Sequence, residues 1–473
     1  MTWNLFKKKP VQPSGNDTDP KSKPILDNRP SPTKKADIPA SGLKTPKPIS
    51  DLPNEMVLKN KTACSYVAEK ISMEDVQNFF PIRNYDKEKL LAFTSDLKSE
   101  VHPMQTTLFH CGNKTDSALY LLKGTISLSD DNGKVYEIAA GTGEAKFPIS
   151  SGSIHTTTAV AKTDVSVLRV SQKILSPKYA PLSQFSRLAI PDELTKNHLM
   201  SCFIHHYNNE ELNIPSLPDV AIKLRNAMQN DASVADVVKI IQHDAVISAK
   251  LIGLANCPLY LSVVPVKTCF EAVNRIGLNA TRNLVISLSI NRIFKTDSPL
   301  IKKYLDEIWK ESISISIISF VLATITKQVN PEEALLAGLI SNIGAVPFLS
   351  FAANIPKEYC TATDIELALP YVKGPVGHKI LSDWGFAEEY LKIPLYAADW
   401  YQNNSEKLSL TDIVVLSRLH WKIGHKNRFE LPVVSSIPAA SKLKNFSLSP
   451  ERSLNILHEA KQQINDTMRV FSS

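Results

Sequence analysis

The sequence is poor in the residues that build metal clusters, redox centres and phosphate-binding loops. Its six cysteines are scattered and no two form Cys-x-x-Cys, so the pattern predicts neither a zinc site nor a thioredoxin-like motif. Sixteen glycines are few for 473 residues, and no P-loop, Gly-x-Gly-x-x-Gly or Gly-x-Ser-x-Gly motif occurs. These absences argue against the common nucleotide-hydrolysing and serine-nucleophile enzymes.

The uncharged stretch at 312–326 is short and rich in serine, so we predict no transmembrane segment. The first ten residues place their lysines after their apolar residues, which is the reverse of a secretory signal. Isolated thiols suit a reducing compartment. The sequence therefore predicts a cytoplasmic protein.

The positive charge is confined mainly to one end of the chain. The net charge is +7, and residues 1–60 hold eleven Lys and Arg against six acids, which leaves about +2 for all the rest. A nucleic-acid-binding domain needs a basic face on its folded part. We therefore predict no nucleic-acid partner.

Residues 1–60 have the composition of a disordered tail. They contain ten of the thirty prolines and only two aromatic residues, Trp3 and Phe6. Such a segment cannot bury enough apolar surface to offset its ordering entropy. The apolar and basic tip at 3–9 has two interpretations: a solvated chain end, or a weak docking site for an anionic membrane or a partner.

The rest of the chain changes from strand patterns to helix patterns. Residues 66–97 have helical spacing, and several alternating apolar segments between 107 and 170, with a hairpin turn at Asn132-Gly133, predict a small β-roll. Helix signals dominate after a linker. The predicted fold is therefore multidomain α+β, a β-roll followed by an all-α domain. Its parts are a basic Pro/Lys/Ser-rich tail (1–60), a roll with flanking helices (61–176), a linker or helix (177–205) and a helical domain with C-terminal helices (206–473).

The roll resembles the cyclic-nucleotide-binding domain across residues 85–175. The resemblance is carried by the strand pair at 119–126, by Gly143-Glu144, and by 158–164 near the end of the roll. In that family a glutamate holds the ribose, while backbone amides and an arginine hold the phosphate. This implies a jelly roll with an anion pocket.

The predicted nucleotide pocket departs from the family. Glu144 matches the ribose-binding glutamate, but His155 stands where the arginine is expected, and Lys146 lies in an atypical phosphate cassette. Histidine is shorter, mostly neutral at pH 7 and not bidentate. We favour a degenerate roll that serves docking or dimerisation. A cyclic-nucleotide sensor using Glu144 with Lys146 or His155 is the alternative.

The helical domain resembles HDOD domains, the HD-related output domains of bacterial signalling proteins. The matching segments are 214–221 (IPSLPDVA), 243–251 and 271–278. The related HD enzymes bind divalent metals through a histidine, an adjacent His-Asp pair and a further aspartate, because imidazole and carboxylate hold an ion that activates water.

The corresponding ligand positions hold other residues. Glu311 stands at the place of the first histidine, and Ser341 with Asn342 at that of the His-Asp pair. We therefore predict no metal, no cofactor and no catalytic residue. A literal His-Asp pair, His243-Asp244, precedes these segments, and we predict that Asp244 caps a helix and His243 ends the previous one.

These features predict a non-catalytic bacterial signal-transduction or regulatory protein that acts by binding a protein or a small signal molecule. The partner is not specified by the sequence. A metal-dependent HD phosphodiesterase is a further alternative, which the missing ligands disfavour.

Overall fold

The structure is a computed structural model. It describes residues 69–84, 90, 94, 97–131, 133–175, 194–209, 216–260, 264–290, 294, 296–425, 430–444, 448 and 450–472. The predicted tail with its apolar and basic tip, most of the predicted linker, Asn132 of the hairpin turn, and the opening Ile214-Pro215 lie outside these residues.

Two antiparallel four-stranded sheets form the roll. The first sheet has the strand order β1-β2-β8-β4 and the second β3-β7-β5-β6. The strands are β1 (Glu69–Lys70), β2 (Lys98–His102), β3 (Thr107–Phe109), β4 (Ser117–Lys123), β5 (Thr125–Ser129), β6 (Val135–Ala139), β7 (Thr158–Ala161) and β8 (Val165–Ser171).

Strand β4 is buried on both of its faces. Leu119 and Leu121 point into the core between the sheets, whereas Ala118 and Tyr120 pack in a second cluster outside the roll. This alternation follows from the two-residue period of a strand. The roll is therefore covered on one side by flanking structure.

The helical expectation for 66–97 is wrong at its start. Glu69–Lys70 is a strand that pairs antiparallel with Lys98 and Ser99 of β2. The edge of β2 would otherwise leave backbone N–H and C=O groups unpaired. Residues 69 and 70 pair with these groups, so this segment is a strand and not a helix. Only a short helix follows, at Met73–Val76.

The remainder is helical. The helices are α1 (Met73–Val76), α2 (Gln172–Leu175), α3 (His198–Asn208), α4 (Asp219–Gln229), α5 (Val234–Gln242), α6 (Ala245–Ala255), α7 (Cys269–Ile276), α8 (Leu278–Ile290), α9 (Pro299–Thr326), α10 (Pro331–Ile340), α11 (Ala345–Ala352), α12 (Ala362–Asp383), α13 (Glu388–Tyr396), α14 (Leu410–Ile423), α15 (Pro438–Ser441) and α16 (Pro450–Ser472). Short 3₁₀ turns lie at Ile82–Asn84, Glu144–Lys146, Pro258–Tyr260, Lys357–Tyr359 and Val434–Ser436. The predicted order of a β-roll followed by an all-α region is confirmed.

Helix α9 is the centre of the helical core. Its alternating Ser and Ile residues are buried on all sides, and Ser316 Oγ donates to the Leu335 carbonyl of α10 at 2.6 Å. A Cβ at Gly338 would lie 2.5 Å from Ser316 Cα, so α9 and α10 approach more closely than side chains normally allow. Other buried serines of α9 bond elsewhere: Ser314 Oγ donates to the Lys310 carbonyl of the same helix and Ser319 Oγ donates to Ser417 Oγ of α14, as burial requires.

Two apolar segments, Pro299–Thr326 and Pro331–Ala352, are long and apolar enough to cross a membrane. In their most apolar windows, 61% and 89% of the residues are buried inside the fold, and the buried core helices of a globular protein pass the same test of length and hydropathy. Two such helices are therefore weak evidence for a membrane span.

Candidate functional site

A buried arginine lies at the ligand positions predicted for the helical domain. Arg418 lies among mostly apolar residues of α14 and is only 3% exposed. A guanidinium that leaves water at such a depth requires charge-assisted partners. Those partners come from helices far away in sequence.

The three residues singled out by the HD comparison all contact this guanidinium. Arg418 Nη1 donates to Glu311 Oε1 at 2.8 Å, and Nη2 donates to Asn342 Oδ1 at 2.8 Å. Nη2 also lies 3.4 Å from Ser341 Oγ. The structure thus brings Glu311, Ser341 and Asn342 together around one positive charge.

Further hydrogen bonds hold these partners in place. Asn342 Nδ2 donates to Ser312 Oγ at 3.3 Å, which fixes the amide so that its oxygen faces the guanidinium. Ser341 Oγ donates to the Gly338 carbonyl at 2.7 Å, at the end of α10. Helix α9 and the turn that follows α10 therefore surround the guanidinium. We call Glu311, Ser312, Ser341 and Asn342 the Arg418 cradle.

Two lysines add positive charge to this neighbourhood. Burial and, to a smaller extent, the Arg418 charge lower the pKa of Lys373 to about 7, while Glu311 opposes the shift. Burial, followed by the Arg418 charge, also lowers the pKa of Lys422, again against Glu311. Glu311 is the carboxylate that acts on both lysines.

These residues do not fit a divalent metal. A site of the HD type needs imidazole and carboxylate ligands, whereas Ser341 and Asn342 are neutral and Glu311 is already bonded to Arg418. A guanidinium among the would-be ligands, with Lys373 close by, repels a second cation. Within the described residues, no group of three or more His, Cys, Asp or Glu is arranged to hold a metal.

The His243-Asp244 pair has the structural role predicted from the sequence. Asp244 is the N-cap of α6 and accepts a hydrogen bond from Ile247 N at 3.0 Å. His243 is the C-cap of α5.

In the roll, His155 is a core residue. It is 5% exposed, its ring stacks on Phe109 with centroids 4.0 Å apart, and its Nδ1 lies 2.7 Å from Ser150 Oγ. Burial, reinforced by the charge of Arg169, lowers the pKa of His155 to about 4. The ring is therefore neutral at pH 7 and supplies no charge for a phosphate.

Glu144 and Lys146 lie at the two ends of one 3₁₀ turn. Glu144 is exposed, and Lys146 Nζ pairs with Glu430 Oε1 at 3.3 Å. Arg83 reaches the same carboxylate at 3.3 Å. The lysine that was considered as a phosphate ligand thus has a partner on the chain itself.

A segment of the helical region docks on the predicted nucleotide pocket. Its backbone accepts two hydrogen bonds from the roll: Ser151 Oγ donates to the Ser436 carbonyl at 2.5 Å, and Thr156 Oγ1 donates to the Ser435 carbonyl at 2.6 Å. Tyr136 Oη lies 2.8 Å from Ser435 Oγ. We call residues 430–441 the docking segment.

Apolar packing accompanies these polar contacts. Val433 packs against the core cluster of the roll, and a Cβ at Gly152 would lie 2.4 Å from Ser441 Cβ. The segment therefore contacts both the strands and the stretch 144–156, in which the phosphate cassette was predicted.

Sequence reasoning missed Arg418 and the docking segment. An arginine inside the apolar run 413–419 is a signal of a buried ion pair. The identity of its partners was not readable, because Glu311 is 107 residues away from Arg418 and Asn342 is 76 residues away.

Residues 214–399 match the HDOD domain family. The match covers the part of the helical region that holds Glu311, Ser341 and Asn342, and it agrees with the HDOD resemblance predicted from the sequence.

An uncharacterized protein of Treponema pallidum (strain Nichols) is 24% identical over 231 residues, which is 48% of this chain and 41% of that relative. The match therefore spans less than half of the relative's length. A solved structure described as a putative metal-dependent phosphohydrolase from Shewanella amazonensis SB2B is 25% identical, with a TM-score of 0.51; it covers 58% of this chain and 100% of its own.

The roll is similar to a structure described as a cyclic nucleotide-binding-like protein from Brucella abortus. The identity is 26%, the TM-score is 0.17, and the match covers 22% of this chain and 91% of that chain. The two four-stranded sheets, and not this similarity, define the roll.

Proposed function

We propose that this protein is a non-catalytic bacterial signal-transduction protein whose HDOD domain acts by binding a partner protein or a small signal molecule. The observation that carries the proposal is the Arg418 guanidinium bonded to Glu311 and Asn342. One internal cation takes the charge that a metal ion would supply in a phosphohydrolase, but it cannot activate water as a Lewis acid.

The resemblance to a putative phosphohydrolase supports the fold of this domain and leaves its chemistry open. Water activation needs an ion that keeps an open coordination position. A guanidinium has no such position, and both Nη atoms of Arg418 already bond side chains of α9 and of the turn after α10.

Turnover measurements test the proposal. The full chain is incubated with bis(p-nitrophenyl) phosphate and with cyclic dinucleotides, in the presence of Mn²⁺ or Mg²⁺. We expect no hydrolysis above the buffer rate. Metal-dependent hydrolysis that Glu311→Gln abolishes would show an active site and overturn the proposal. A matched control is Glu366→Gln, since Glu366 is exposed and bonds Tyr304.

For the roll, we propose an intramolecular docking role in place of nucleotide sensing. The support is the docking segment on the predicted pocket together with the neutral, stacked His155. A cyclic-nucleotide sensor is the second candidate, favoured only by the match of Glu144 to the ribose-binding position.

Calorimetric titration with cyclic AMP and cyclic GMP separates the two roles. The docking role predicts no saturable heat with either nucleotide. Micromolar binding that Glu144→Ala removes would establish the sensor and contradict the docking role. Ser153→Ala is the matched control, because Ser153 is an exposed neighbour.

We also propose a cytoplasmic location and the division into a tail (1–60), a roll (61–176), a linker (177–205) and a helical domain (206–473). The burial of the two apolar segments inside the fold supports a location in water. The tail is proposed as a solvated arm, with weak docking through its tip as the alternative.

A further inference from the structure

A cavity of about 230 Å³ lies in the HDOD domain, between the α4 and α8 helices and the turn that joins α12 to α13. No residue of the Arg418 cradle lines this cavity. The cavity is lined by Leu217, Arg225, Met228, Gln229, Arg282, Asn283, Ile286, Leu336, Gly385, Phe386, Ala387 and Tyr390.

The lining combines apolar walls with two positive charges. Leu217, Ile286 and Leu336 are buried aliphatic residues of the wall, and Phe386 and Tyr390 supply two aromatic rings. Among the described lining residues none is acidic, whereas two are arginines. Sites for small molecules usually combine mostly apolar walls with a small number of polar groups that point at the ligand.

Arg225 is held at the mouth by the backbone that follows α12. Its Nη1 donates to the Trp384 carbonyl, and a Cβ at residue 385 would lie 3.2 Å from that same nitrogen. Gly385 has φ +68°, a backbone conformation that favours glycine. The glycine thus lets the guanidinium lie close to the turn at the border of the cavity.

Arg282 is oriented by its own neighbour. Its Nε donates to Asn283 Oδ1 at 3.3 Å, and Asn283 is 2% exposed, so this amide is fixed in the wall. Burial raises the pKa of Glu333, and Arg282 acts against that rise. Arg282 therefore has an acidic neighbour at longer range, without a carboxylate in the cavity itself.

Arg282 and Asn283 line the cavity, and neither residue belongs to the Arg418 cradle or to the docking segment. A cavity of about 230 Å³ is smaller than the roughly 300–1,000 Å³ of sites for drug-sized ligands. Its occupant is correspondingly small.

We propose that this cavity binds a small organic anion, a carboxylate or phosphate monoester with an apolar or aromatic body. The anionic head pairs with Arg225 and Arg282, which offer planar, charge-assisted donors. The apolar body lies against Phe386, Tyr390 and the aliphatic wall. This inference rests on the proposed binding function of the HDOD domain and names the class of ligand for it.

Phenyl phosphate is the probe for this proposal, and inorganic phosphate and phenol are its two halves. Isothermal titration calorimetry on the full chain is expected to give saturable binding of phenyl phosphate, at least about tenfold tighter than either half, or about 1.4 kcal/mol. Phosphate binding as tight as phenyl phosphate, or no saturation at millimolar probe, would overturn the proposal.

Variants locate the binding. Arg282→Gln is expected to weaken phenyl phosphate binding at least about tenfold, and Arg225→Lys, which keeps the charge, by less. Lys239→Gln is the matched control, because Lys239 is exposed on α5 and pairs only with Asp236 among the described carboxylates. Thermal unfolding of each variant separates lost binding from lost folding. Unchanged binding in folded Arg282→Gln would place the probe elsewhere and refute the site.

The outcome is separable from the proposed function. Failure of the probe leaves the Arg418 contacts and the predicted lack of turnover untouched, whereas hydrolysis that depends on Glu311 would overturn the non-catalytic function without bearing on this cavity.

Discussion

At the scale of single residues, the Arg418 guanidinium explains why Glu311, Ser341 and Asn342 lie together in the core. A charge buried in a low-dielectric interior is costly, and Glu311 and Asn342 offset that cost through short, charge-assisted bonds. The sequence resemblance predicted that Glu311, Ser341 and Asn342 stand at ligand positions, and the structure places the Arg418 guanidinium among them.

Removing this guanidinium is expected to destabilise the protein strongly. Arg418→Met leaves Glu311, whose side chain is 20% exposed, and the buried Asn342 amide oxygen without this donor, and loss of one member of a largely buried pair costs up to about 3–5 kcal/mol. Urea unfolding followed by circular dichroism measures the change. The double variant Glu311→Gln/Arg418→Met is expected to lose less stability than the sum of the single variants, because the stranded charge is gone. A neutral Arg418→Met would contradict the cradle.

His155 predicts a pH dependence of stability. Its pKa falls from 6.5 to about 4 in the folded roll, so the unfolded chain binds the proton more readily. Stability attributable to this residue is therefore lost as the pH falls from about 6.5 towards 4.

Comparing the wild type with His155→Gln between pH 7 and 4 isolates this effect, since the other titrating groups are shared. We expect the wild type to lose more stability over this interval than the variant. Parallel pH profiles would show that the ring is not kept neutral by its burial.

At the scale of elements, sequence patterns predicted those helices and helix ends that depend on neighbouring residues in the chain. Asp244 caps α6 as expected, and the Ser-Ile alternation of α9 is a helix because its length and neighbours outweigh its two-residue period. The strand at Glu69–Lys70 was missed, because its conformation depends on pairing with β2 rather than on its own residues.

The close contact of α9 and α10 predicts opposite effects for two glycine substitutions. Gly338→Ala places a Cβ 2.5 Å from Ser316 Cα and is expected to cost about 1–3 kcal/mol, as overpacking does. Gly253→Ala in α6 meets Val470 at an ordinary 3.4 Å and is expected to stabilise by up to about 1 kcal/mol, from helix propensity. Thermal unfolding of both variants measures the difference, and equal effects would refute the close approach.

The docking segment predicts a local opening. Gly152→Val directs a side chain at Ser441 and is expected to lower the amide exchange protection of residues 433–441 by about 1–3 kcal/mol, while the sheets stay protected. Ser153→Val is the control, since Ser153 is exposed. Hydrogen exchange read by mass spectrometry reports both variants. Unchanged protection after Gly152→Val would mean that the segment does not rest on the roll.

At the scale of the whole molecule, the sequence predicted the order of a roll and a helical domain and the loss of metal ligands. It did not predict how distant segments meet. Ser436 lies 285 residues after Ser151, and Glu311 lies 107 residues before Arg418, so neither contact leaves a local pattern. Each contact lies at a position where the related families bind a ligand, and at each position groups of this chain itself make the hydrogen bonds.

Metal content tests the central claim most directly. The full chain is purified without an affinity metal from cells supplied with manganese, iron and zinc, and is measured by inductively coupled plasma mass spectrometry. The account predicts far less than one ion per chain, since the Arg418 guanidinium already neutralises Glu311. About one divalent ion per chain, lost in Glu311→Gln, would contradict it.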